Sequence, residues 1–381
     1  MDFTFTEEQQ MLLDTTRRFV AKDYGFETRR QIKDKTPEGF SREAWQSLAD
    51  IGLLALNVPE EDGGLGGSAL DTMLAMTAVG EGLLLEPFLT SAVLATKAIA
   101  LLGNEQQRAV LLPALAGGEK IAAFAHDEHA SRFDRMAIDT RAWPAGDGYM
   151  LTGYKCVVSH GGSADVLLVT ARIAGSGTDE GESGPMAVFV VPRDAFGVTK
   201  VPYKTVDGIP ACEVWLNQVY VPASAMLGAP GAEDKVMDVL DFGLAAVCAE
   251  AIGALDKILA ATVEYSRNRK QFGQPIGKFQ ALQHRMADMV LHIEQARSMS
   301  YLAAVRCTDP DLAVRSKAMS AAKVVIGQAC RFVGQQAVQL HGGMGVTDEL
   351  DVSHYFKRLM AIEMQFGSTD QHLETYARQL A

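Results

Sequence analysis

A block of short β-type runs, enclosed between two long helical blocks, is the feature that most constrains the fold. Between residues 121 and 228, β-branched and aromatic residues cluster into runs separated by turn residues: Y-M-L-T-G-Y-K-C-V-V-S, D-V-L-L-V-T-A-R, M-A-V-F-V-V-P and C-E-V-W-L-N-Q-V-Y-V-P. Runs of this composition and length are typical of β-strands. The polar stretch between Ala174 and Pro185 indicates a hairpin tip at the surface. The sequence therefore predicts a central β domain over residues 121–228.

The chain on both sides of this block follows the periodicity of helices. After the helix-start pattern T-E-E-Q at Thr6, apolar residues recur at helical spacing. In the C-terminal block, the segment 281–297 carries one apolar stripe with polar residues elsewhere on its surface. Long helices with such a stripe pack as antiparallel bundles. We therefore predict an α+β protein with helical domains at 1–120 and 229–381.

The net charge limits the classes of partner. The chain has 35 basic and 47 acidic residues, which gives a net charge of −12. Such a balance argues against nucleic acid or an anionic membrane as the main partner. The most apolar stretch, G-L-L-L-E-P-F-L-T-S-A-V-L-A-T-K, is interrupted by Glu86, Pro87 and Lys97, so we predict no transmembrane span.

Cysteine usage indicates a reducing compartment. The five cysteines are odd in number and widely spread, without a C-x-x-C pair, so they indicate neither a disulfide framework nor a zinc knuckle. Met1 leads into a polar segment that lacks the basic and apolar regions of a secretory signal. We therefore expect a cytoplasmic protein. The cysteines are Cys156, Cys212, Cys248, Cys307 and Cys330.

One stretch combines a cation, an amide and an aromatic ring. In Y-S-R-N-R-K-Q-F-G-Q-P-I-G-K-F-Q-A-L-Q (265–283), a basic helix end meets a Phe-Gly turn before a new helix starts. Arg269, Gln271 and Phe272 there offer a forked cation, an amide and an aromatic face. These groups together suit a ligand that carries a phosphate and a ring.

Two further stretches place glycine at the end of a helix. In Q-L-H-G-G-M-G-V-T-D-E (339–349), paired glycines let a ligand approach the backbone closely. In E-M-Q-F-G-S-T-D-Q (363–371), Gly367 stands between two helix-like runs. Taken singly, a glycine after a helix is most often only a helix cap.

In their order and spacing, these stretches resemble the acyl-CoA dehydrogenase family of flavoproteins over nearly the whole chain. T-E-E-Q, V-P-E-E-D-G-G-L-G, N-R-K-Q-F-G-Q-P-I with F-Q-x-x-Q, and Q-L-H-G-G-M-G fall where that family has them. The resemblance implies an N-terminal helical domain, a central β-barrel-like domain and a C-terminal antiparallel four-helix bundle. It also implies bound FAD, an acyl-CoA substrate, an electron-accepting flavoprotein as redox partner, and a homo- or heterotetramer.

The same resemblance assigns FAD contacts to two groups of residues in the C-terminal block. Thr369 and Gln371 match residues that contact the FAD held by the same subunit. An oligomer is therefore implied as part of the cofactor site. The residues that match contacts with the FAD of a neighbouring subunit are Arg269, Gln271, Phe272, Gln339 and Gly343.

On the β-domain side the chain departs from the family pattern. The family has an aromatic residue, a Thr-Glu pair and a glycine-rich stretch ending in Ser-Asp, whereas this chain has F-A-H-D-E-H-A-S-R-F-D (124–134). Only Phe124, Glu128 and Asp134 keep the expected character, so we interpret the stretch as a reshaped loop at the flavin edge. The residues of this loop that we assign to cofactor binding are Phe124, His126 and Asp127.

Two other features of this loop leave alternatives open. Arg132 replaces a glycine, and it is either an anion contact or a plain surface arginine. The H-D-E-H quartet contains potential metal ligands, but His126 and His129 lack a third spaced partner, so we predict no metal site.

A second flavin-facing strand of the family carries a tryptophan, an aliphatic residue and a hydroxyl residue. This chain has C-V-V-S-H-G-G (156–162) at that place. Ser159 keeps the hydroxyl that can bond the N5 edge of the flavin, while Val157 occupies the tryptophan position. The resemblance thus implies a polar anchor without a stacking cover.

The family reaction needs a base that this chain lacks at the expected places. In most members the base is a glutamate in a Tyr-Glu-Gly-Thr sequence, and this chain has Gly367 there, after Phe366. A minority carry the glutamate on the first long helix of the bundle, where this chain has Gly243 followed by Leu244. We therefore assign no catalytic residue. The nearby acids, which are offset along their helices and would point away from the usual site, are Asp241, Glu250 and Glu363.

Three interpretations remain open from the sequence. The chain is a subunit of a heteromeric acyl-CoA dehydrogenase whose glutamate comes from a homologous partner, as in the small subunits of the pimeloyl-CoA and steroid side-chain types that Q-F-G-S-T-D-Q-H with S-R-F-D resembles. Alternatively, it performs other flavin chemistry, of oxygenase or desulfinase type. The third interpretation is a non-catalytic scaffold subunit.

Overall fold

The computed structural model describes residues 5–175 and 184–380, so the predicted hairpin tip at 176–183 lies outside the described residues. The first helix begins at Thr6, whose hydroxyl accepts the N–H of Gln9 while the Gln9 side chain accepts the N–H of Thr6. This capping box confirms the helix start predicted from T-E-E-Q. The N-terminal helices are α1 (Glu7–Asp23), α2 (Phe26–Lys35), α3 (Arg42–Asp50), α4 (Ala69–Gly82), α5 (Thr96–Leu102) and α6 (Glu105–Ala116), with a π-helical segment at Phe88–Ala95.

The predicted helix–sheet–helix order is confirmed. The middle strands are β1 (Ala122–Ala125), β2 (Arg141–Ala145), β3 (Gly148–Ser159), β4 (Val166–Ile173), β5 (Met186–Pro192), β6 (Val198–Lys204), β7 (Pro210–Pro222) and β8 (Met226–Leu227). The elements that follow are α7 (Glu233–Asn268), β9 (Lys270–Gln271), β10 (Gln274–Pro275), α8 (Gln280–Arg306), α9 (Leu312–His341), α10 (Asp351–Met364) and α11 (Thr369–Arg378).

The described chain forms two compact units. The sheet unit comprises Ile32–Ser68 and Leu85–Gly243. The helical unit comprises Met1–Gln31, Ala69–Leu84 and Leu244–Ala381. The division of the sequence at residues 120 and 228 stays a prediction.

The sheet unit is built on one mixed sheet. Its strand order is β6-β7-β3-β2-β4-β5-β8, and β1 pairs in parallel with β4. The long strands β3 and β7 pair antiparallel, and along β7 buried residues such as Val219 and Val221 alternate with exposed ones such as Tyr220. This alternation places one face of the strand in the core, as the β-branched run requires.

A β-bulge interrupts β3 near its end. Lys155 pairs with Val214 and Val158 pairs with Cys212, so Cys156 and Val157 together stand opposite the single residue Glu213. An extra residue of this kind twists the strand and turns a side chain out of its regular direction. Val157 accordingly has a φ of 50° and is 51% exposed.

A buried ion pair lies beneath the bulge. The Lys155 side chain is fully buried, and its Nζ donates to Glu128 Oε1 at 2.6 Å and to Thr170 Oγ1 at 3.0 Å. Glu128 also accepts the backbone N–H of Asp139 at 2.6 Å and that of Thr140 at 3.1 Å. Burial opposes ionisation of Glu128, but the Lys155 charge and these donors hold its pKa below the usual value. The network therefore fixes the start of the 128–140 loop to the sheet.

His126 joins the same network through both ring nitrogens. Its Nε2 lies 2.8 Å from the carbonyl oxygen of Arg135, and its Nδ1 lies 3.2 Å from Thr170 Oγ1. Because the carbonyl can only accept, Nε2 carries the proton and Nδ1 accepts from the hydroxyl. Burial, together with the positive charge of Lys155, lowers the pKa of His126 to about 3.

In the helical unit, α9 packs against α8, α10 and α11, and α1 packs against α4. Two glycines allow α4 and α7 to approach closely. A Cβ added at Gly80 would lie 2.0 Å from the carbonyl oxygen of Glu250, and one added at Gly253 would lie 1.9 Å from that of Thr77. The two helix backbones therefore come into contact at positions where glycine has no side chain. These glycines are needed for the close packing of α4 against α7.

We predict that His126 makes the protein sensitive to acid. The unfolded chain takes up a proton on this histidine near pH 6.5, whereas the folded chain does so only near pH 3, so stability falls as the pH drops between these values. The loss is at most about 1.4 kcal/mol per pH unit. Denaturant unfolding of His126→Gln should show a flatter pH dependence in this window, and the exposed His284→Gln serves as the control. Identical pH dependence in wild type and His126→Gln would contradict the assignment.

We also predict that Gly253→Ala destabilises the protein by about 1–3 kcal/mol or more, because the added methyl group meets backbone that must move. Gly25→Ala is the matched control, since no atom lies within 4 Å of a Cβ at that position. Thermal unfolding of both variants measures the difference. Equal melting temperatures would show that α4 and α7 do not meet as described.

Candidate functional site

The Phe-Gly turn after α7 forms an exposed hairpin in the helical unit. β9 and β10 pair antiparallel with Phe272 and Gly273 between them, and both turn residues have positive φ, at 52° and 78°. This is the geometry that a two-residue hairpin demands, and it explains the glycine. Phe272 is 91% exposed, and Arg269 and Gln271 are exposed beside it. The structure thus brings these three predicted residues together on the surface.

The two glycines that follow α9 have free space beside their backbone. Gly342 has a φ of 63°, and no heavy atom lies within 4 Å of a Cβ added to Gly342 or Gly343. Gln339 is exposed one turn earlier. The ring of His341 stacks on Tyr265 of α7 at a centroid distance of 4.3 Å. This stacking brings the end of α9 to the last turns of α7, just before the hairpin.

An open groove runs along the same end of α7. It has a volume of about 660 Å³, within the range of small-molecule sites. Its lining combines the apolar side chains of Leu259 and Val263 with the polar side chains of Glu264, Arg267 and Asn268. The hairpin that carries Phe272 begins directly after this groove.

The turn between α10 and α11 has an unusual backbone. Phe366 has a φ of 60° and Gly367 a φ of 110°. His372 Nε2 donates to the carbonyl oxygen of Phe366 at 2.9 Å, and a Cβ added to Gly367 would lie only 2.8 Å from that nitrogen. Both the conformation and the imidazole therefore exclude a side chain at position 367. Thr369 is buried and Gln371 half-buried at the start of α11.

All three acids that the sequence offers near the expected base positions are paired. Arg135 Nη1 donates to Asp241 at 2.8 Å in the sheet unit. In the helical unit, Arg358 binds Glu250 through two hydrogen bonds of 2.6 and 2.7 Å. Each of these two carboxylates is thus occupied by a guanidinium within its own unit.

Glu363 is held from two sides. Its Oε1 accepts two hydrogen bonds, one from the backbone N–H of Thr369 and one from Nη2 of Arg331, each at 3.1 Å. Burial opposes ionisation, but the hydrogen bonds from Thr369 and the charge of Arg331 keep its pKa below the usual value. Lys323 Nζ, which is buried, donates to the carbonyl oxygens of Ile362 and Glu363 at the end of α10. Glu363 and Lys323 therefore fix the turn.

The sequence reasoning missed the residues that shape this turn. His372 closes the stretch Q-F-G-S-T-D-Q-H, five positions after Gly367, but no role was assigned to it. Lys323 and Arg331 come from α9 and belong to no motif. Only the packing of α9 against α10 and α11 brings them to the turn. A histidine directly after the Thr-x-Gln pattern is the one signal that local reading offers.

On the sheet unit, the predicted flavin-edge residues differ in access. Phe124 is buried and stacks on His126, whose ring nitrogens are both used within the protein. Asp127 is exposed, and its carbonyl oxygen accepts the N–H of Cys156 at 2.9 Å. The loop thus touches the bulge that exposes Val157. Ser159 is half-buried at the end of β3 and pairs with Ala211.

The described residues contain neither a cluster of metal ligands nor a membrane-spanning helix. No three His, Cys, Asp or Glu side chains come together there as a metal site would require. Across the same residues, no helix combines the length and the apolar character that a membrane span needs.

Family models match nearly the whole chain. The C-terminal domain model of acyl-CoA dehydrogenase matches residues 234–381, the N-terminal domain model matches residues 6–119 and the middle domain model matches residues 123–219. The probable acyl-CoA dehydrogenase YngJ of Bacillus subtilis is 31% identical over 386 residues, which cover 100% of both chains.

Solved structures of similar chains agree with these models. One chain of the ChsE4-ChsE5 complex of Mycobacterium tuberculosis is 29% identical, with a TM-score of 0.90 over 100% of this chain and 99% of that one. A chain of the Tcur3481-Tcur3483 steroid ACAD variant is 28% identical, with a TM-score of 0.87 over 98% of each chain. The predicted fold class is therefore confirmed.

The open hairpin, the bare glycines, the turn at Gly367 and the matched domain models lead to one conclusion. The chain belongs to the acyl-CoA dehydrogenase family, whose members are FAD-dependent oxidoreductases.

Proposed function

We propose that this chain is one subunit of a heteromeric acyl-CoA dehydrogenase and that a homologous partner chain supplies the proton acceptor. The observation that carries the proposal is the turn at Gly367, where the glutamate of most members is expected. A φ of 110° and the nearby His372 Nε2 leave no place for a side chain. The alternative position for the glutamate is Gly243, which also lacks a side chain.

The paired acids support the same proposal. Asp241, Glu250 and Glu363 are each bound by an arginine, so none is free to take a proton from a thioester. A base must be able to accept the proton within hydrogen-bond reach of the substrate. We infer that the carboxylate comes from outside this chain.

The residues present fit FAD on each unit separately. In the helical unit, the exposed Arg269, Gln271 and Phe272 offer a guanidinium, an amide and a ring, and Gly343 offers open backbone. In the sheet unit, Ser159 would hold the flavin edge by its hydroxyl, and Val157 would lie against the ring. We propose these as cofactor contacts, together with Thr369, Gln371 and Gln339.

When bound, FAD supplies the acceptor for the hydrogen removed from the β carbon of an acyl-CoA thioester. The chain's own part is to bind and orient the cofactor through the residues named above. We propose that an electron-accepting flavoprotein reoxidises the enzyme and that the protein works in the cytoplasm.

The relatives favour an assembly of unlike chains. The titles of two similar structures each name two proteins, in ChsE4-ChsE5 and in Tcur3481-Tcur3483, and the second is called a steroid ACAD. We propose a heterotetramer of this kind, in which this chain is the small-subunit type. Arg269 and Phe272 would then contact FAD held mainly by a neighbouring subunit, which accounts for their exposure in the single chain.

A second candidate function is favoured by Val157. A small residue at this position leaves room beside the flavin for chemistry of oxygenase or desulfinase type. The retained groups at Arg269, Gln339 and Thr369 argue against the third interpretation, a scaffold without flavin.

We predict that Gly367→Glu does not give the lone chain desaturase activity. The variant must abandon a φ of 110° and displace His372 from Phe366, so we expect a loss of about 1–3 kcal/mol in stability without turnover of acyl-CoA. Gly367→Ala controls for the backbone strain and for the contact with His372, because it adds the Cβ without the carboxylate. Turnover by a stable Gly367→Glu chain would show that the turn accepts a base and would contradict the proposal.

We predict that activity requires the partner. The chain should be purified alone and together with the homologous chain encoded next to it, and both preparations tested on a panel of acyl-CoA thioesters with an artificial electron acceptor. We expect turnover only from the complex, and we expect replacement of the partner's glutamate by glutamine to abolish it with flavin still bound. Substantial turnover by the chain alone, with flavin bound, would contradict the proposal that the partner supplies the base.

A further inference from the structure

The loop between β1 and β2 is held tightly on both sides of Arg132. Before it, the hydroxyl of Ser131 donates to the carbonyl oxygen of Glu128 at 2.7 Å. After it, the N–H of Asp134 donates to the carbonyl oxygen of Ser131 at 2.9 Å, and Arg135 is bound to the buried Asp241. Arg132 therefore projects from a fixed loop.

Arg132 adopts a backbone conformation that favours glycine. Its φ is 51° and its ψ is −109°, and residues other than glycine occupy this region only at a cost. The side chain is exposed, and its guanidinium makes no hydrogen bond or ion pair with any residue in 5–175 or 184–380. Within these described ranges, no hydrogen bond or ion pair of the guanidinium compensates for the strained position.

Three carboxylates around this loop have partners other than Arg132. Asp134 Oδ1 accepts the N–H of Met136 at 3.0 Å, Glu128 binds Lys155, and Asp241 binds Arg135. Arg132 forms an ion pair with none of these carboxylates. The base of the loop also touches the bulge, because the carbonyl oxygen of Asp127 accepts the N–H of Cys156.

We propose that Arg132 binds the diphosphate of a nucleotide ligand through its guanidinium. The planar fork of an arginine matches two phosphate oxygens, which lysine cannot match in the same way. This inference rests on the proposed function, because both ligands of that function, FAD and acyl-CoA, carry a diphosphate. Arg132 is thereby a specificity-determining residue at the flavin-edge loop.

The test uses three substitutions in the full chain, purified with its partner. Arg132→Gly relieves the backbone strain and removes the charge, Arg132→Lys keeps the charge without the fork, and Arg193→Ala removes an exposed arginine of the same unit that pairs with Asp165. Melting temperatures of the apoproteins establish that each variant folds. We expect Arg132→Gly to fold at least as well as wild type.

Binding is then measured for ligands that differ in the diphosphate. Flavin fluorescence compares FAD with FMN, which has one phosphate and no diphosphate. Displacement titration compares CoA with dephospho-CoA, which keeps the diphosphate, and with pantetheine, which lacks it. We expect Arg132→Gly to bind one diphosphate ligand about tenfold to a hundredfold more weakly, Arg132→Lys to lie between, and Arg193→Ala to match wild type.

The pattern of losses identifies the source of the diphosphate. A loss confined to FAD, with FMN unchanged, assigns the contact to the cofactor. A loss shared by CoA and dephospho-CoA, with pantetheine unchanged, assigns it to the substrate. Unchanged binding of every ligand in Arg132→Gly overturns the proposal while the proposed function stands. Failure of the wild-type complex to bind FAD at all overturns both.

Discussion

The hydrogen bond from His372 to the carbonyl oxygen of Phe366 is the constraint on which the functional assignment depends. It fixes two consecutive residues at positive φ and places an imidazole where a side chain at position 367 would begin. Lys323 secures the preceding helix end, and Glu363 secures the following one through Thr369. Glycine at 367 is thus fixed in its conformation by the residues around the turn.

The sheet unit likewise depends on a buried interaction, the ion pair between Lys155 and Glu128. Lys155 and Glu128 are both taken out of water, which is costly unless every donor and acceptor is satisfied. Thr170, Thr140 and the backbone N–H of Asp139 meet that condition. The arrangement anchors the 128–140 loop beside the bulge that turns Val157 outward. The position of this loop therefore depends on hydrogen bonds made within the sheet unit.

Much of the fold could be predicted from the sequence because helix caps and β-branched runs depend only on residues that are close together in the chain. The capping box at Thr6 and the β-branched runs that became β3, β4, β5 and β7 are properties of neighbouring residues. The bulge at Val157 was missed, since it depends on the register against β7. For the same reason, pairings such as Arg358 with Glu250 were missed, because they join residues 108 positions apart. The motif residues could be named from the sequence, but their exposure and their neighbours could not.

The ring of Phe272 stands almost bare at the tip of a rigid hairpin. In the heteromer proposed above, a chain synthesised without its companion would expose this ring and the adjoining groove to solvent. Exposed apolar surface of this kind invites non-specific association. Balanced production of the subunits, rather than the intrinsic stability of either one, would then govern how much usable enzyme accumulates.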